Sequence, residues 1–115
     1  MNMEKKYYLG EFEETVLLVT ASQNGEAYGL SITKVIEEEL GRSVNMSSVH
    51  TALYRLEEKG FVKSDLGGAS ERRGGRRKRF FEVTDMGKAA LMEAKTQRQY
   101  LWSKVPDYLF KGSNS

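Results

Sequence analysis

Between Glu71 and Thr84 the chain reads ERRGGRRKRFFEVT, and Arg72 to Arg79 holds six cationic side chains and two glycines with no acid among them. Taking these six charges from the formal total of +2 leaves −4, so the protein is mildly acidic with one concentrated basic element. Like charges at this density repel one another, and mixed surfaces normally avoid such clusters. A polyanion would relieve that repulsion and release condensed counterions on binding. If each protomer of a dimer neutralised ~4 phosphates, affinity would fall with salt at a log–log slope of roughly −7. The wing candidates on this reading are Arg72, Arg73, Arg76, Arg77, Lys78 and Arg79; the bland alternative is a solvated arginine-rich face. A second polar group lies upstream, in Ser47, Ser48, His50, Thr51, Tyr54 and Arg55. Small hydroxyls let a backbone approach base edges, and an arginine reaches guanine or phosphate. Against that, Ser47 and Ser48 could merely cap a helix and Tyr54 pack at a boundary.

Other chemistry is poorly supplied. There is one histidine and no cysteine, so disulfides, thiolate metal sites and thiol nucleophiles are excluded. Ser47 and Ser48 lie near His50, but no third group is in place to orient a base. Glu37, Glu38 and Glu39 spread around a helix, because neighbours one and two apart do not share a face. GASERRGGRR lacks the spacing and Lys-Ser/Thr ending of a phosphate loop. No enzyme, no metal and no cofactor are expected. The start, MNMEKKYYLGEFEE, lacks the apolar centre of a signal peptide, and the longest apolar run, VLLV, is far short of the ~20 residues of a membrane span. A soluble, cytoplasmic protein follows, with no membrane partner.

The elements that must position these groups can be read from periodicity. The 115 residues suffice for one small domain and one extra element. Leu9, Phe12, Val16, Val19 and Thr20 share a helical side over Leu9–Ser22, and QNGEAYG stops that helix. Ile32, Val35, Ile36 and Leu40 define a second helix over Leu30–Leu40, ended by Gly41. Asn45 is placed to cap a third, with Val49, Leu53 and Leu56 inward and Gly60 at its end. FVKSDL and RFFEVT then read as two strands around a loop from Gly67 to Lys78, long for a hairpin. Thr84 caps a final helix from about Asp85 to Val105, before Pro106. Along it Leu91, Ala94, Arg98, Leu101 and Val105 fall near heptad spacing, a longer apolar stripe than so small a domain can cover. These five are therefore the candidate dimer interface.

Helix–helix–helix–hairpin is the order of a winged helix-turn-helix, whose third helix enters a major groove while the wing touches backbone. The fold class expected is mainly α with a β-hairpin wing and a C-terminal dimerisation helix. The divisions are a DNA-binding domain over 9–84, a dimerisation helix over 85–110, and flexible termini at 1–8 and 111–115. Double-stranded DNA is the expected partner, with RNA binding or a protein-interaction role as the alternative; the loop lacks the aromatic platforms that single-stranded RNA favours.

EAYGLSI, LYRLEEKGFV and ERRGGRRKRFFEVTDMG together resemble the PadR family of bacterial transcriptional regulators, over roughly Leu9 to Leu91. The resemblance implies a winged helix-turn-helix homodimer, usually a repressor, that acts on an inverted-repeat operator and releases it on a small-molecule signal. It also implies the subfamily with a single C-terminal helix, which exchanges contacts with the partner's first helix. Some relatives bind planar aromatic ligands between tryptophans of paired C-terminal helices, which makes Trp102 the candidate effector contact; interface packing is the plainer role. The chain departs from the family at His50, where a tyrosine is usual. A phosphate grip there would be weaker or pH-dependent, and a neutral surface histidine is the other reading.

Overall fold

The computed structural model describes residues 8–67 and 78–111. Helix α1 (Glu11–Ser22) begins at Gly10, which supplies no side-chain cap; Glu11, Glu13 and Glu14 in the first turn instead face the positive end of the helix dipole. Its buried face is Val16, Leu17, Val19 and Thr20. The Thr20 hydroxyl, itself buried, donates to the Val16 carbonyl at 2.7 Å, so no polar group is stranded. The expected stripe was therefore too narrow. Leu17 is fully buried, whereas Leu9 and Phe12 only pack against the edge of the core, because α1 is enclosed by several elements rather than one.

The connection after α1 turns through Asn24 and Gly25, both at positive φ. It then runs alongside the hairpin, where Phe81 N–H donates to the Ala27 carbonyl at 2.8 Å. Helix α2 (Gly29–Glu38) buries Ile32, Thr33 and Ile36. Leu40, expected on its apolar stripe, lies beyond the helix and is 51% exposed.

Helix α3 (Met46–Glu58) is capped as its sequence requires. Asn45 Oδ1 accepts from Ser48 N–H at 2.8 Å. At the far end Phe61 N–H donates to the Leu56 carbonyl and Gly60 N–H to that of Glu57, with Gly60 at φ +84°. That pair of bonds closes a Schellman motif, which needs the left-handed conformation that glycine adopts freely. Phe61 is thereby delivered into the core with no exposure.

Strands β1 (Val62–Leu66) and β2 (Arg79–Val83) pair antiparallel, with Val62 opposite Val83 and Leu66 opposite Arg79. Phe81 points inward and Phe80 sits half-buried on the other side, the alternation that a ribbon with one covered face requires. Helix α4 (Asp85–Ser103) follows after one residue. Thr84 accepts from Gly87 N–H at 3.0 Å through Oγ1, and the same hydroxyl donates to the Gly60 carbonyl at 2.6 Å. A Cβ on Gly87 would overlap the Phe61 carbonyl, so α4 rests directly on the start of the hairpin. Gly87 and Ala90 are its buried residues, with Leu91 packed against the core. The helix ends at Ser103, two residues earlier than expected, and a further turn, α5 (Tyr108–Lys111), follows Pro106. This turn was not anticipated; its amides at Leu109 and Phe110 donate to the carbonyls of Pro106 and Asp107.

Candidate nucleic-acid interface

Burying Val49, Ala52, Leu53 and Leu56 fixes the rotation of α3. The same rotation exposes Ser47, Ser48, Thr51, Tyr54 and Arg55. In the free protein Ser47 Oγ donates to Asn45 Oδ1 at 2.8 Å and so belongs to the cap, while Ser48 contributes its amide to the same oxygen and leaves its hydroxyl outward. His50 differs from the other five. It is half-buried, edge-on to Tyr54 with ring centroids 6.0 Å apart, and it fills the notch above Gly29, where a Cβ would collide with the imidazole. His50 is thus a partly covered residue whose ring joins α3 to the start of α2.

Two grooves flank the outward side of α3. One, of about 490 Å³, separates it from the start of α1 and includes Ser48, Thr51 and Arg55, but also Glu11 and Glu13. The other, of about 540 Å³, lies between α2, α3 and the foot of the hairpin, with Tyr28, His50, Tyr54, Lys78 and Arg79 in its walls and no carboxylate among its lining residues. Electrostatics separates the two. In the first groove Arg55 stands beside Glu11 and a Glu13 already paired with Lys59, whereas the second offers Lys78 and Arg79 with no acid and so favours phosphate more strongly.

Lys78 and Arg79 are the described part of the basic cluster; Arg72, Arg73, Arg76 and Arg77 lie outside the described residues. Lys78 Nζ stands 4.4 Å from the centroid of the Tyr28 ring and 3.4 Å from its hydroxyl. Phe80 meets the same ring edge-on at 5.7 Å. Arg79 reaches across the hairpin to Ser64 Oγ at 3.0 Å, and Ser64 in turn donates to Glu57 at the end of α3. Sequence reading overlooked Tyr28. It is the residue just outside α2, with its N–H held by Ser31 Oγ at 2.9 Å, and its ring supports the ammonium at the mouth of the basic groove. The available signal was an aromatic residue directly before the glycine that opens a helix.

On α4 the heptad-like residues divide. Leu91 and Ala94 are half-buried against their own chain, and Arg98 pairs with Glu14 of α1 at 2.6 Å. Leu101 is 62% exposed and Val105 half-buried. Trp102 is 60% exposed, its ring 5.8 Å from that of Phe110 on α5. No helix among the described residues is long and apolar enough to cross a membrane.

Three short helices, a hairpin whose foot adjoins the third, and a long helix leaving the hairpin define a winged helix-turn-helix protein with a C-terminal helix. The family model described as the transcriptional regulator PadR-like family matches residues 16–93. The chain belongs to that family of transcriptional regulators, which is not an enzyme family and whose membership implies DNA binding. Comparison with curated proteins gives no match. Among solved structures, it is similar to a PadR family transcription regulator from hypervirulent Clostridium difficile R20291, at 26% identity and TM-score 0.65, covering 84% of this chain and 97% of that one. A PadR family regulator from Eggerthella lenta DSM 2243 gives 27% identity and TM-score 0.61, over 84% and 82% of the two chains. The fold is shared with a PadR-like regulator from Bacillus cereus strain ATCC 14579, at 21% identity and TM-score 0.69, over 88% and 92%.

Proposed function

We propose that the protein binds double-stranded DNA as a homodimer on an inverted-repeat operator and acts as a ligand-responsive repressor. The observation that carries the DNA reading is the groove beside α3 with Lys78 and Arg79 in its walls and no carboxylate among its lining residues. In this reading Ser48, Thr51 and Arg55 read base edges, while Lys78, Arg79 and the arginines of the loop hold phosphate. The dimer is supported by Tyr100, Leu101 and Trp102, all about 60% exposed on the distal part of α4; apolar surface of that kind at a helix end favours a partner. Ligand response would act at the same end, with Trp102 as the contact for a planar aromatic effector.

Selection from a random DNA library, with light scattering on the same sample, tests this. The expected outcome is a two-fold symmetric consensus with half-sites about one DNA turn, ~34 Å, apart, bound by a particle of twice the chain mass. Equal binding of all sequences, or stronger binding of single-stranded RNA, would refute operator recognition. A monomeric mass at micromolar protein would refute the dimer.

A further inference from the structure

The outward side of α3 has two edges. Ser48, Thr51 and Arg55 line the groove toward α1, whereas Met46, His50 and Tyr54 line the basic groove toward α2 and the hairpin. Residues four apart on a helix are neighbours, so the second set forms one row. His50 is its fixed member. The imidazole fills the notch above Gly29, where a Cβ would overlap Nε2, and it stands edge-on to Tyr54 at an interplanar angle of 76°. Tyr54 is 51% exposed, and its hydroxyl has no hydrogen-bond partner among the described residues. The groove's other phenol, Tyr28, already accepts from Lys78 at 3.4 Å. Tyr54 therefore presents an unused O–H donor to a groove walled by Lys78 and Arg79, with no carboxylate among its lining residues.

We infer that Tyr54 donates its hydroxyl to a phosphate of the bound duplex and that His50 is the positioning residue that aims it. The inference rests on the reading of the protein as a duplex-DNA binder, and it gives α3 two separate tasks. The edge with Ser48, Thr51 and Arg55 reads bases, and the edge with Tyr54 holds backbone. A phenol suits the second task. It donates to a phosphate oxygen at any base sequence and carries no charge, so it adds affinity without counterion release. Ordering a free tyrosine ring on binding would cost part of that gain. Packing it in advance against an imidazole wedged onto α2 lowers that cost.

The test is fluorescence anisotropy of the full-length protein on a labelled operator from the random-library selection and on a random-sequence duplex. Tyr54→Phe deletes only the hydroxyl and is expected to weaken both complexes at least about tenfold, since a dimer loses two hydrogen bonds to charged acceptors. The log–log salt slope stays within about 0.5 of wild type, because no charge is lost. His50→Ala is expected to weaken binding by a similar factor in the wild-type background, but by less than about twofold in Tyr54→Phe. His50→Phe, which keeps a ring in the notch, retains most of the affinity. Unchanged affinity in Tyr54→Phe overturns the inference and leaves the DNA reading intact. A loss on the operator alone also overturns it, by making Tyr54 a base contact. Full additivity of His50→Ala and Tyr54→Phe removes the positioning role. A wild-type protein that binds neither duplex overturns the DNA reading and this inference together.

Discussion

Lys78→Gln is the sharpest probe of the basic groove, because it removes one charge and keeps most of the stem. The Lys78 ammonium stands over the Tyr28 ring, 4.4 Å from its centroid, at the mouth of the groove beside α3. In a dimer the substitution removes two such cations. If each neutralises one phosphate, the log–log salt dependence becomes shallower by about 1.8, since each phosphate contributes ~0.9 on duplex DNA. Extrapolated from a 1 M reference to 0.15 M salt, the same slope difference weakens binding about 30-fold, and equally for specific and random sequence. Fluorescence anisotropy with labelled operator between 0.05 and ~0.4 M salt measures both quantities. Tyr28→Ala is the informative companion. It leaves the charge but removes the ring that holds it, so the slope stays within about 0.5 while affinity falls roughly two- to fivefold, the scale of an exposed cation–π contact. A Lys78→Gln slope within about 0.5 of wild type would remove the groove from the phosphate contacts and return that role to the loop arginines.

At the hairpin–α4 joint, Thr84→Val deletes a helix cap and a hydrogen bond to the Gly60 carbonyl, and should cost about 1.5–3 kcal/mol. Urea unfolding at fixed protein concentration reads this as a lower midpoint at unchanged m-value, with Thr84→Ser losing less than half as much; a larger loss in Thr84→Ser than in Thr84→Val would show that the methyl, not the hydroxyl, matters. Trp102, the only tryptophan, reports on the proposed effector end: planar aromatic compounds at micromolar concentration should quench its emission and weaken operator binding in parallel. Quenching without any change in DNA affinity would separate that site from regulation.

Most of the fold was legible because its signals are local. Asn45, Gly60 and Thr84 each terminate a helix by bonds to residues within a few positions, and those bonds are present where the sequence implied them. The parts that escaped depend on how elements enclose one another. Leu17 is not on the single stripe read from the sequence, but α1 packs against α2, α3, β2 and α4, so its covered arc is wide. His50 looked exposed because the pocket it fills is made by Gly29, far away in sequence. Tyr28 could be placed beside Lys78 only once the hairpin was folded back against α2. Arg98 was read with the apolar stripe of α4 because its spacing fits, whereas its carboxylate partner is 84 positions away.

A single residue, Thr84, separates the strand that carries Arg79 from the helix that carries Trp102. Its hydroxyl and the bare Cα of Gly87 clamp both elements to the Gly60–Phe61 turn, which in turn ends α3. Helix α3, the foot of the hairpin and the start of α4 therefore move as one body. A signal received at the far end of α4 cannot act by loosening that joint without unfolding part of the core, since Phe61 is fully buried there. Bending has to occur where α4 has left the core, beyond Ala94, where lateral restraint falls to an ion pair with one solvent-facing partner. An effector at Trp102 would then alter DNA affinity by changing the distance between two otherwise unchanged half-site readers.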